Sequence, residues 1–107
     1  ALKLNEFLRL KKIKPVVIFG MLNNKKIDVF LKTIKNQIKY LMAIKIPKEK
    51  NAFLTSTIRN ECDLLSIKSL KLKDIKECIN YVKLSNEKFF LITGSLYLVG
   101  KIRNRFL

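Results

Sequence analysis

The chain has no histidine and only two cysteines, Cys62 and Cys78. Zinc sites draw on Cys, His and carboxylate ligands, so two separated thiols without an imidazole indicate neither a metal site nor a disulfide framework. A reduced, cytoplasmic setting fits this usage, with both thiols serving as small apolar side chains. The eight acidic residues are dispersed rather than paired, which leaves no acid–base couple of the kind hydrolytic chemistry needs. With three glycines in all, the sequence has no Gly-rich phosphate loop. Nor is there an apolar run near the ~20 residues that a membrane-spanning helix requires. Apolar runs such as Val16–Phe19 and Phe89–Ile92 are of strand length, and the opening Ala1-Leu2-Lys3-Leu4-Asn5-Glu6 has no signal-peptide core.

What the sequence does contain is apolar bulk and lysine. Hydrophobic residues make up 49% and charged residues 29% of 107 positions, a balance that builds one core and suits a single domain over residues 1–107. Lys and Arg number 23 and the net charge is +15. A field of that sign attracts nucleic acid, anionic membrane or acidic metabolites. The lysines are scattered from Lys3 to Lys101, however, as in a solvated Lys-rich surface. A small basic nucleic-acid-binding module is the rival reading. Such modules interleave Arg and aromatic residues on an exposed face, whereas here Arg is scarce and the aromatic residues fall at core-type positions.

Periodicity orders the chain into alternating helices and strands. Leu4, Phe7, Leu8 and Leu10 recur at helical spacing up to Pro15, and Val16–Phe19 follows as a buried strand. Gly20 makes a turn, and Asn23-Asn24 offer an N-cap to a helix whose Ile27, Phe30, Leu31, Ile34 and Ile38 share one face. Tyr40–Ile44 reads as the next strand, closed by Pro47 and a polar turn. Leu54, Ile58, Cys62 and Leu65 mark another helix, capped by Thr55 or Ser56, and a short strand follows within Ile67–Leu70. Asp74 opens the next helix, with Ile75, Cys78, Ile79 and Val82 on its apolar side. Phe89–Ile92 is the last strand, and Gly94-Ser95 opens a final helix through Val99 and Ile102. Strands that are apolar on both faces, alternating with helices, predict an α/β fold with a mostly parallel sheet covered on two sides.

Two stretches resemble one family. Gly20-Met21-Leu22-Asn23-Asn24-Lys25, followed by Phe30-Leu31, is similar to the strand-exit motif of folylpolyglutamate synthase/dihydrofolate synthase enzymes. The segment Leu91-Ile92-Thr93-Gly94-Ser95-Leu96-Tyr97 resembles their near-terminal Thr/Cys-Gly-Ser-Leu-Tyr motif. Ile46-Pro47 falls between them, where bacterial members carry an Ile-Pro turn. Asn24 and Lys26 depart from the first motif, standing where acidic residues are common. The family's Asp-Gly-Ala-His-Asn motif does not occur in this sequence.

The resemblance implies a Rossmann-like C-terminal domain from a Mur-ligase-like, ATP-dependent ligase, with the family's first strand missing. It further implies a family chemistry in which a folate or pteroate carboxylate is activated with ATP and magnesium before the amine of glutamate adds. The phosphate loop for that chemistry belongs to an N-terminal ATP-binding domain, covalently attached or separate. No cofactor is therefore expected on this chain alone, and no membrane partner. A missing strand would leave Val16–Phe19 open to pairing and the chain prone to self-association.

Ser95, Gly94 and Lys25 are the site candidates. Ser95 follows a buried strand and opens a helix, where it serves equally as an ordinary N-cap or, with the backbone at Gly94, as an anion ligand. The resemblance places this serine near the glutamate site. Lys25 leaves the end of a strand, where it is either a solvated lysine or, as the resemblance implies, a group facing phosphates across a cleft. Tyr97 is expected to pack against the sheet.

Overall fold

The structure, a computed structural model, describes residues 14–106 apart from the side chain of Leu96. The amphipathic segment at Leu4–Leu10 lies outside them. Strand β1, Val16–Phe19, is buried along its whole length. Its residues alternate between two layers. Val17 and Phe19 enter one apolar cluster, while Val16 and Ile18 enter another on the opposite face. That double burial explains why the run reads as continuously hydrophobic.

Strands β2 (Tyr40–Ala43), β3 (Ser69–Lys71) and β4 (Phe90–Thr93) complete a sheet ordered β3-β2-β1-β4, with every pair parallel. The chain moves outward from β1 through β2 to β3 and then crosses back to place β4 on the other side of β1. Right-handed crossovers in the two directions put helices on opposite faces. Helices α1 (Ile27–Ile34) and α2 (Thr55–Leu64) bury Ile27, Leu31, Ile34, Ile58 and Cys62 on the Val17 and Phe19 side. Helices α3 (Ile75–Leu84) and α4 (Leu96–Arg103) bury Cys78, Ile79, Leu98 and Ile102 on the Val16 and Ile18 side. The predicted α/β sandwich is therefore observed, and each fully buried Leu or Ile contributes about 1.5–3 kcal/mol to it.

Several local expectations are corrected. Pairing runs along both edges of β1, with Val16–Phe19 in register with Tyr40–Ala43 on one side and Phe90–Thr93 on the other. The exposed template anticipated at Val16–Phe19 is closed by β4, so among the described strands the sheet edges are β3 and β4. Helix α1 stops at Ile34 and tightens into a 3-10 turn at Lys35–Gln37, after which Ile38 is extended yet still buried. Its N-cap is Lys26 rather than Asn23 or Asn24, and no side chain caps it. Helix α2 likewise starts from Leu54 without a side-chain cap, so Thr55 and Ser56 lie inside its first turn. Both helices are held by their buried faces, which outweigh a missing cap worth about 1 kcal/mol.

The end of α2 is built more elaborately. Ile67 N–H reaches Cys62 O at 2.8 Å and Ser66 N–H reaches Asp63 O at 3.1 Å, with Ser66 at a φ of 58°. These paired bonds form a Schellman motif, with serine in the left-handed position that glycine usually takes.

Candidate ligand-binding site at the carboxyl end of the sheet

Because all four strands are parallel, every strand-to-helix loop leaves the same end of the sheet. The direction of travel reverses between β1 and β4, and open α/β sheets form their ligand crevice at such a switch point. The residues leaving these two strands are Gly20 and Gly94-Ser95.

Gly94 adopts a φ of +102°, a region that side chains rarely enter, and a Cβ built on it would lie 2.0 Å from the carbonyl oxygen of Gly20. Gly20 is confined too: its Cβ would stand 2.8 Å from the Ile44 carbonyl oxygen and 3.0 Å from Leu98 Cδ2. The Gly20 N–H donates to Thr93 O at 3.4 Å, continuing the ladder to the edge of the crevice. Two glycines thus let the backbones of the two loops touch directly where the strands end.

Ser95 follows at once as the N-cap of α4, and its Oγ accepts the Leu98 N–H at 3.3 Å. The cap reading is observed. A hydroxyl accepting one N–H still carries its own proton to donate, so the same side chain can serve an anion at the helix terminus. Lys25 sits elsewhere on this end of the molecule. Its N–H donates to Leu22 O at 3.2 Å in an exposed turn. That turn is tied to the β2–α2 loop by an antiparallel bridge between Leu22 and Ala52, an Asn23 N–H bond to Asn51 O at 2.6 Å and a Phe53 N–H bond to Met21 O at 2.9 Å. Gly94 and Ser95 are therefore brought together with Gly20. Lys25 makes no hydrogen bond or ion pair with them among the described residues.

Tyr97 corrects the sequence reading. It is 41% exposed, with Lys101 Nζ 5.4 Å from its ring centroid. Helix α4 turns Leu98 and Ile102 inward, and a residue one position from Leu98 is rotated about 100° away from the sheet. Cys62 and Cys78 behave as expected of small apolar groups. Burial pushes each thiol up to about 11, and they belong to the two different core layers. Among the described residues no group of three or more His, Cys, Asp or Glu side chains is placed to hold a metal ion.

A second feature of this end was not legible in the scattered lysines. Lys45, Lys48, Lys73 and Lys76, together with Ile46, Pro47, Asp74 and Ile75, line a cleft of about 470 Å³ between the β2–α2 loop and the amino end of α3.

Solved structures supply the comparison. Escherichia coli FolC in complex with DHPP and ADP is similar over 98% of this chain and 25% of its own, with a TM-score of 0.80 at 14% identity. This chain has the fold of a Mur ligase C-terminal domain. Folylpolyglutamate synthase from Thermotoga maritima matches over 94% of this chain and 24% of its own, with a TM-score of 0.72 at 16% identity. The bifunctional folylpolyglutamate synthase/dihydrofolate synthase from Yersinia pestis matches over 95% and 25%, with a TM-score of 0.70 at 13% identity. The chain thus spans about a quarter of the length of the structures it resembles. No protein-family profile matches the sequence, and neither does any curated protein.

Proposed function

We propose that this chain is the C-terminal, substrate-side domain of an ATP-dependent ligase that adds glutamate to folate or dihydropteroate. The observation that carries the reading is the position of Gly94-Ser95. The one segment resembling the ligases' Gly-Ser-Leu-Tyr motif stands at the switch point of a sheet whose fold matches theirs over nearly the whole chain. In this reading Ser95 Oγ–H and the α4 amino terminus hold a glutamate carboxylate, and the Gly20–Gly94 contact keeps side chains out of its way. Lys25 faces the phosphates of a nucleotide bound by the ATP-binding domain, which would also supply magnesium. The chain's own part is to bind and orient glutamate. Activating the acceptor carboxylate falls to the phosphate loop of that other domain, so the isolated chain neither hydrolyses ATP nor ligates glutamate. A polyglutamate synthase must also accommodate products that already carry several glutamates.

The test is a glutamate titration of the isolated chain followed by amide NMR. Shifts concentrated at residues 94–98, weakened several-fold in Ser95→Ala, are expected. A wild-type chain that shows no response there up to millimolar glutamate, or one that ligates glutamate unaided, refutes the proposal.

A further inference from the structure

The cleft between the β2–α2 loop and α3 is built from like charges. Four of its eight lining residues are lysines and one, Asp74, is acidic. The Asp74 carboxylate is already engaged, since its Oδ1 accepts the Glu77 N–H at 2.8 Å as the cap of α3. None of the four lysines forms an ion pair among the described residues; the salt bridge found there, Lys39 to Glu87 at 2.6 Å, involves neither the cleft nor its loops. Ile46 beneath them is buried and Pro47 stiffens the wall, so the positive charges converge on a partly apolar base.

Lys48 is held there against its backbone preference. Glu49 N–H bonds to Ile46 O at 3.4 Å, which makes Ile46-Pro47-Lys48-Glu49 a tight turn with proline second and Lys48 third, at a φ of 62°. That third position normally takes glycine or asparagine. A lysine in it is less stable than glycine would be, and the turn places its charge at the cleft.

We infer that this cleft seats the run of carboxylates on the glutamate tail of a polyglutamylated substrate, an inference that rests on the function proposed above. The tail chemistry fits: a string of evenly spaced anions meets a cluster of cations on the same end of the sheet as Ser95. The reach fits as well. The cleft lies at the ends of β2 and β3, and Ser95 beyond β4, with β1 between. At ~4.8 Å per strand that is roughly 10–15 Å across the sheet. An extended residue spans about 3.5 Å, so three or four glutamates bridge the distance and a single one cannot.

Affinity should therefore grow with tail length. Exposed charge pairs strengthen binding about two- to five-fold each, and three or four of them raise affinity on the order of a hundredfold at low salt. The chain is titrated calorimetrically with glutamate and with di-, tetra- and hexaglutamate, in wild type and in Lys48→Gly and Lys73→Gln, while residues 94–98 are followed by NMR. The expected result is a rise of at least about tenfold between di- and hexaglutamate. Each variant should lower the hexaglutamate affinity about two- to five-fold and flatten the length dependence to that extent, with melting temperatures at or above wild type and the single-glutamate response at Ser95 retained. Affinity that stays flat with length while the Ser95 response persists overturns the inference and leaves the proposed function standing. Loss of the Ser95 response in wild type overturns the function itself. An oligothymidylate of equal charge that displaces hexaglutamate at lower concentration, through the same lysines, overturns the inference in favour of a nucleic-acid surface.

Discussion

Two glycines six positions apart near the carboxyl terminus should respond to the same substitution in opposite directions. Replacing Gly94 by alanine puts a methyl group 2.0 Å from the Gly20 carbonyl oxygen and asks an L-residue to hold a φ of +102°. The backbone conformation alone costs about 1–2 kcal/mol. Relieving the clash must move backbone rather than a flexible side-chain tip, parting the ends of β1 and β4, and the total should reach about 3–5 kcal/mol. Among the described residues, a Cβ on Gly100, inside α4, would meet no heavy atom within 4 Å beyond its chain neighbours and its own helix backbone. There alanine gains the helix propensity that glycine lacks, about 0.8–1.0 kcal/mol. Both substitutions restrict the unfolded chain to the same degree, so the difference in sign comes from the folded state. For a domain near this size 1 kcal/mol shifts Tm by about 4–8 °C. Gly94→Ala should thus melt at least about 12 °C below wild type and Gly100→Ala several degrees above it, as followed by circular dichroism in heat and urea. Wild-type stability in Gly94→Ala would refute the claim that the two loop backbones touch at the switch point.

Two further predictions concern groups away from the crevice. Burial holds the Cys62 and Cys78 thiols neutral up to about 11 against an ordinary 9.0, so the folded state keeps protons that the unfolded state releases. Their contribution is fully present below about pH 9 and is lost as pH rises toward about 11, by up to about 3 kcal/mol per thiol. Urea midpoints should fall between about pH 8 and pH 10, and the Cys62→Ala, Cys78→Ala double variant should show a shallower fall; an equal slope in both proteins argues against it. At the amino end of the sheet, the Tyr40 and Tyr81 hydroxyls bond to each other at 2.5 Å. Tyr40→Phe and Tyr81→Phe should each cost about 1 kcal/mol, and the double variant little more than either, because the second change removes a group already without its partner. Full additivity in a double-mutant cycle counts against the pairing.

The architecture was legible because double burial leaves a plain mark on sequence. Val16–Phe19 has no polar position at which a face could meet water, and only a covered, parallel strand tolerates that. Ser95 was legible because a short polar residue between a strand and an apolar helix has one local use, capping, whether or not it also binds. Tyr97 and the starts of α1 and α2 were not legible. The inward direction of α4 is set by Leu98 and Ile102 entering the buried cluster that also holds Ile18 and Ile44, which no local rule reports. Lys26 and Leu54 begin helices because tertiary contacts hold Ile27, Leu31 and Ile58, not because they cap well. The pairing of β1 with β4 and the lysine cleft share a further cause. Each joins residues from separate loops or strands, and composition sees only that lysine is common.

The placement of β1 between β2 and β4 also governs the order in which the molecule can be completed. Its partner on one side, Tyr40–Ala43, emerges soon after it during synthesis, but Phe90–Thr93 arrives only after both intervening strand–helix units have been made. Strand β1 is thus made before the other three described strands and has to wait for the last of them before its second edge closes. Such long-range parallel pairings slow folding, since loop closure precedes the contacts that reward it. Until Gly94 meets Gly20, a nascent chain carries a wholly apolar strand with one edge unpaired. The interval between translating Tyr40 and Thr93 is when chaperone capture and misassembly compete with folding.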